Sequence, residues 1–204
     1  MSNSVFNNKE FEIYGIVIPE FTLKKGNLIR MYIPNFDHNK NLPLGFDLAV
    51  ELIQRFQDQK SNFPWAKNYQ QSWFLKILNP LTVGTYLLHK MGIDQENANR
   101  ITSEIGINLA DKFELLSFSN RKALIIKALF HSHESILLDY YGVSAMGIDF
   151  LEAIVNSEIK KGKSAIAFDR LEFKLKKEPF NTITPIDITT GPISNSNNRK
   201  QLKF

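Results

Sequence analysis

The chain has 204 residues, no cysteine, 43% hydrophobic and 12% aromatic content, and a formal net charge of +4. That length suits one domain, or one domain with a small inserted lobe, and sixteen phenylalanines demand a substantial core. Disulfide frameworks and thiolate metal sites are excluded, the longest apolar runs fall short of a membrane span, and no leader precedes Phe6, so a soluble cytoplasmic protein is expected.

Residues 1–8 are polar and read as an unpaired terminus. Residues 11–23 alternate imperfectly and break at Pro19, which predicts two short strands. Lys24-Lys25-Gly26-Asn27 is a turn, and Leu28 to Ile33 a strand rich in apolar residues. A loop dense in Asn and Pro follows, and then Phe46, Leu48, Ala49, Leu52, Ile53 and Phe56 recur at helical spacing. Residues 58–66 read as a connecting loop. Residues 82–91 and 95–105 predict two amphipathic helices, with Asp94 capping the second.

Ser117 or Ser119 caps a further helix that runs to Phe130. Ser135 to Asp139 is an uninterrupted run of the kind found in a strand buried on both faces of a parallel sheet. After a second helix, Gly162 follows Lys160 and Lys161 as a helix stop, and a strand leads to Asp169. Residues 171–175 alternate and predict a final strand. From Pro179 the chain is rich in Thr, Pro, Asn and Ser and reads as irregular. From Lys174 onward six Lys or Arg stand against two acids, which accounts for the whole net charge. A basic tail on a neutral body reads as a solvated terminus rather than a nucleic-acid surface. The pattern predicts an α/β domain with a largely parallel sheet, small N-terminal antiparallel strands and an inserted helical lobe.

The order of elements from Glu114 to Asp169 resembles the second half of an ABC-type ATPase domain. Leu116-Ser117-Phe118-Ser119-Asn120 stands where that family has its Leu-Ser-Gly-Gly-Gln signature loop. Ser135-Ile136-Leu137-Leu138-Asp139 is similar to the Walker B strand, and Gly162-Lys163-Ser164-Ala165-Ile166-Ala167 leads into the strand that ends at the switch position. Upstream, Ile33-Pro34-Asn35 keeps part of the phosphate loop, and Gln70 or Gln71 before Leu81-Thr82-Val83 looks like the Q-loop. The resemblance implies one domain over 1–178, a helical lobe over about 71–130, and a basic tail over 179–204. It also implies a coupling surface near Trp73, Phe74, Ile77 and Leu78.

The resemblance makes Asn35, Gln70, Gln71 and Asp139 remnant nucleotide-site positions, and Ser117, Phe118 and Ser119 signature-loop positions. Asp139 matches a carboxylate that holds Mg²⁺ through water. The bland reading is an Asp at a strand end making a local hydrogen bond. Most of the remaining chemistry is absent. Phe36, Asp37, His38 and Asn39 stand where a glycine and a lysine belong, and Lys40 is followed by Asn41 and Leu42 rather than a hydroxyl. Phe118 and Ser119 replace both signature glycines. Tyr140 replaces the glutamate that polarises water, and a phenol titrating near pH ~10 is a poor base. Phe168-Asp169-Arg170 carries no switch histidine. Gly162-Lys163-Ser164 is no phosphate loop, since it follows a helix and leads into a strand.

The expectation is therefore a non-catalytic ABC ATPase-like subunit with no catalytic residue, no metal and no cofactor. Its partner would be an ABC-type ATPase, a transporter membrane subunit, or a second copy as a homodimer. It would be cytoplasmic or peripheral at the inner face of the membrane, with neither membrane insertion nor nucleic acid expected. The alternative is a divergent ATP-binding transporter subunit using Asn35, Gln70 or Gln71, and Asp139 with ATP and Mg²⁺. A second alternative is a nucleic-acid module acting through the basic tail.

Overall fold

The computed structural model describes residues 3–36, 43–60, 62–69, 80–174 and 178–189. Its centre is a four-stranded sheet in which every neighbouring pair is parallel. Its strands are β5 (Leu28–Ile33), β6 (Ser135–Asp139), β7 (Ser164–Arg170) and β8 (Ile183–Asp187), in the order β6-β7-β5-β8. Every residue of β5 and β6 is buried, as expected of strands covered on both faces.

The two-residue alternation of a strand sorts these side chains onto two faces. Ile29, Met31, Ile33, Leu137, Ile166 and Phe168 pack with α1 (Gly45–Gln59) through its stripe of Leu48, Ala49, Leu52, Ile53 and Phe56. Leu28, Ile136, Leu138, Ala165 and Ala167 pack with α3 (Phe118–Ser132) and α4 (Ala145–Lys160), and α2 (Gln95–Ile105) belongs to the same cluster. The result is the α/β domain with a parallel sheet that the apolar pattern predicted, arranged in three layers.

The helix starts follow from single side chains. Asp94 accepts from the Asn97 amide at 2.8 Å, Ser117 from Asn120 at 3.1 Å, and Ser144 from Gly147 at 3.2 Å. Gly162, at φ +90, ends α4 in the left-handed region that glycine adopts without strain. Ser117, not Ser119, is therefore the cap of α3.

Several expectations need correction. Ser4–Asn8 is not a free terminus: it forms β1, antiparallel to β4 (Phe21–Lys24). Its anchor is Phe6, whose ring lies 5.3 Å from Phe56 and 5.4 Å from Phe63. Residues 11–23 hold three strands rather than two, because Tyr14 and Gly15 both take positive φ and fold β2 (Phe11–Ile13) onto β3 (Ile16–Ile18). Thr85–Lys90 is π-helical, with the Met91 amide reaching back to the Tyr86 carbonyl. Leu171–Phe173 is a 3₁₀ turn instead of the start of a strand. The expected irregularity from Pro179 gives way at β8, which pairs with β5 from Leu28↔Ile183 to Tyr32↔Asp187. Pro185 within it is tolerated because β8 is an edge strand.

Gln70, Gln71, Trp73, Phe74, Ile77 and Leu78 lie outside the described residues, as do positions 37–42 and the tail beyond 189. No helix among the described residues is long and apolar enough to cross a membrane.

Candidate functional site

Asp139 sits at the carboxyl end of β6, and its carboxylate is engaged from three directions. Lys122 Nζ donates to Oδ1 at 2.7 Å, the Tyr141 amide donates to Oδ1 at 3.2 Å, and Trp65 Nε1 donates to Oδ2 at 3.0 Å. A carboxylate offers about four lone-pair directions, so one remains. Lys122 reaches the site from the second turn of α3, and its side chain is 1% exposed against 5% for Asp139. Burial pulls the Lys122 ammonium below its ordinary value of 10.5, and the Asp139 carboxylate works against that shift.

Trp65 is positioned by an extension of the sheet within residues 58–66, where the sequence predicts a connecting loop. Residue 65 forms a parallel bridge with Leu137, and the Leu137 amide donates to the Pro64 carbonyl at 2.8 Å. Beside Asp139 opens a cavity of about 750 Å³ lined by Phe46, Trp65, Lys67, Asn68, Asp139, Tyr141 and Gly142. Phe46 comes from the first turn of α1 and lies 5.4 Å from the Tyr141 ring and 6.5 Å from the Trp65 ring.

Tyr140 faces away from this cavity. It belongs to the core on the α3 and α4 side, is fully buried, and its hydroxyl has no hydrogen-bond partner. Burial drives its phenol far above 10, with Arg30 partly opposing. The Arg30 guanidinium lies 5.2 Å from the Tyr140 ring and 5.1 Å from the Tyr32 ring. Arg30 pairs with Glu152, with Asp169 at 2.5 Å and with Glu178 at 3.6 Å, and Tyr32 donates its hydroxyl to Glu178 at 2.6 Å. Asp169, at the strand end where the resemblance would put a switch residue, is thus committed to an ion-pair network inside the fold.

The loop before α1 spends its amides internally. Leu44 N–H donates to Asn35 O at 2.8 Å and Gly45 N–H to Pro34 O at 3.2 Å, while a bridge joins Phe36 to Pro43. The Asn35 amide donates to the Glu172 carboxylate at 3.1 Å, so an acidic side chain occupies the anion-seeking end of this loop. Gly45, at φ +41, lets the chain turn into α1, and a Cβ there would meet Asn35 Oδ1 at 3.4 Å and Tyr141 Cε1 at 3.8 Å. Asn35 therefore lies near Tyr141 across Gly45 and does not line the cavity.

The signature-loop positions are also absorbed by packing. The Phe118 ring would lie 3.3 Å from a Cβ on Gly142, and Ser119 Oγ 2.3 Å from one on Gly147. Ser117 is the helix cap. Leu115 and Met146 stand out at this edge, 79% and 85% exposed. Of the sequence-predicted positions, only Asp139 reaches the cavity among the described residues. None of those residues form a cluster of three or more His, Cys, Asp or Glu that could hold a metal ion. At Asp139 an ammonium already supplies the compensating charge, so the donor set does not fit a divalent cation there.

No family model and no curated protein match the chain. Solved structures do match in shape. A protein from Pyrococcus furiosus assigned as an ABC transporter ATP-binding protein superimposes with a TM-score of 0.62, covering 92% of this chain and 96% of that one at 10% identity. The fold is that of an ABC ATPase domain. An ATP-binding cassette of an ABC transporter, MJ1267, gives 0.56 with 92% and 87% coverage at 15% identity. CbiO1 from Clostridium perfringens, part of the ABC transporter complex cbiONQ, gives 0.54 with 82% and 79% coverage at 11% identity. At such identities the likeness concerns the ABC ATPase fold alone.

Sequence reasoning passed over Phe46, Trp65, Lys67, Asn68, Lys122, Tyr141 and the Arg30 network. A signal existed for some of them. Arg30 interrupts an apolar strand, and Lys122 and Lys127 fall on the apolar face of α3, where a charge requires a buried partner.

Proposed function

We propose that this chain is a non-catalytic subunit with the ABC ATPase fold, acting as a structural or regulatory partner in an ATPase or transporter assembly. The observation that carries this reading is the buried Lys122–Asp139 pair. In it, the carboxylate that would hold a metal is neutralised and hydrogen-bonded from inside the protein. Tyr140 supports it too, because the residue after Asp139 is turned into the core against Arg30 and cannot reach a water beside the cavity. Phe46 in the first turn of α1 and Glu172 on the Asn35 amide both disfavour a polyphosphate there. Calorimetric titration with Mg-ATP, together with a phosphate-release assay, tests the proposal. No binding up to millimolar nucleotide and no turnover are expected, whereas hydrolysis abolished by Asp139→Ala would overturn it.

A second reading is a divergent ATP-binding subunit of an ABC transporter. Two of the solved neighbours named above are ATP-binding proteins and the third is part of an ABC transporter complex, which weighs toward this reading more directly than toward the first. The aromatic cavity beside Asp139 also gives it a place for a base. It requires saturable Mg-nucleotide binding that Asp139→Ala weakens.

A further inference from the structure

The cavity beside Asp139 has a chemistry that the proposed subunit role does not use. Its volume of about 750 Å³ falls within the usual range for small-molecule sites. Three of its seven lining residues are aromatic, contributed by α1 (Phe46), the 64–66 segment (Trp65) and the turn after β6 (Tyr141). The Phe46 ring lies 5.4 Å from Tyr141 at 60° and 6.5 Å from Trp65 at 44°, an aromatic lining against which a planar guest can pack. The formal charges at the floor cancel, because Lys122 offsets Asp139. At the rim Lys67 is exposed, with its ammonium 5.1 Å from the centre of the Trp65 ring. Asn68 also lines the cavity, and its Oδ1 is buried without a hydrogen-bond partner, so a turn of this side chain would bring an unused acceptor to a ligand N–H.

We infer that this cavity binds a planar heteroaromatic carboxylate, with its ring among Phe46, Trp65 and Tyr141, its N–H on Asn68 Oδ1 and its carboxylate toward Lys67. The charge balance decides the class. With Asp139 already neutralised, a cationic guest finds no free anion and meets Lys67 instead. A polyphosphate would meet one lysine and a loop whose Leu44 and Gly45 amides bond to carbonyls. A single negative charge on a flat ring matches what remains. The inference does not depend on the subunit role.

The test uses the full chain, calorimetry, and indole-2-carboxylate as the probe. Comparisons are 2-naphthoate, which lacks the N–H, cyclohexanecarboxylate, which lacks the ring, and the cation 2-naphthylmethylammonium. One-to-one binding of indole-2-carboxylate is expected, about fivefold tighter than 2-naphthoate, with the other two not bound. Asn68→Leu should erase the preference between the two aromatic acids. Lys67→Glu should weaken both about fivefold or more, and Phe46→Ala about tenfold. Lys67 is exposed and Phe46 is 44% exposed, so both variants should fold, which a melting curve verifies. Absence of binding at millimolar probe, equal binding of the cation, or binding indifferent to Phe46 and Lys67 would each overturn the inference. Displacement of the probe by Mg-ATP would instead favour the ATP-binding reading and also count against it.

Discussion

Lys122 Nζ and Asp139 Oδ1 lie 2.7 Å apart with both side chains almost wholly withdrawn from solvent. The pair ties the second turn of α3 to the end of β6 at the point where the site opens. Removing one partner strands the other charge in the interior. Lys122→Met is expected to destabilise the fold by about 3–5 kcal/mol, and Lys122→Met with Asp139→Asn by clearly less. Urea denaturation of the two single variants and the double variant measures this; additive losses would mean that the pair is not coupled.

Tyr140 offers a sharper contrast. Its hydroxyl is buried without a partner, so Tyr140→Phe removes an unsatisfied group and keeps the packing. Stability should stay the same or rise by up to about 1 kcal/mol. Tyr140→Glu places a carboxylate beside Glu152, Asp169 and Glu178, with which Arg30 is already paired. It should cost several kcal/mol, on the order of 3 or more, and create no ATP turnover. A Tyr140→Glu protein that melts like the parent would contradict the placement of this side chain.

Gly147 lies in the first turn of α4, where a Cβ would come within 2.3 Å of Ser119 Oγ and 2.8 Å of Val143 Cγ1. Gly147→Ala should destabilise by about 1–3 kcal/mol, and Ser119→Gly in the same chain should recover part of it. Thermal melts decide. An unchanged midpoint in Gly147→Ala would show that the contact between the start of α3 and the turn before α4 is loose.

The helices α3 and α4 are also joined by charge, because Lys127 pairs with Glu104 and Glu158, and Lys161 donates to Glu158 at 2.9 Å. Burial pushes the Glu158 carboxyl up, but the hydrogen bonds from Lys127 and Lys161 outweigh it and hold the group below 4.5. A carboxyl lowered on folding contributes stability above its unfolded value, and that contribution disappears as pH falls through the folded one. Glu152 has the opposite sign: burial raises it despite Arg30, so its protonation favours the fold. Melting midpoints measured from pH 7 down to 3 should fall less steeply in Glu158→Gln than in the parent. An identical acid limb in the two proteins would refute this.

Much of the frame was legible because it rests on local chemistry. Asp94, and Ser117 or Ser119, announced their helices because a side-chain oxygen near a free N–H is a matter of three residues. Gly162 announced a stop through a backbone angle that few other residues tolerate. The unbroken apolar runs of Leu28–Ile33 and Ser135–Asp139 predicted a parallel sheet covered on both sides. β1 and β8 escaped because short polar-flanked strands are stabilised by what they pair with, here β4 and β5.

By itself the sequence determined the α/β class, the helix ends and the buried strands, all set by residue type and short spacing. Only the tertiary structure decided that Asp139 and Tyr140, neighbours in the chain, meet opposite fates. One is held by Lys122 and Trp65 at the edge of an aromatic cavity, and the other is stacked near Arg30 in the core. Arg30 and Asp169 are 139 residues apart and Trp65 and Asp139 are 74 apart. Nothing local records such pairings, because strand register and the alternation of the sheet bring them together only once the whole domain has closed.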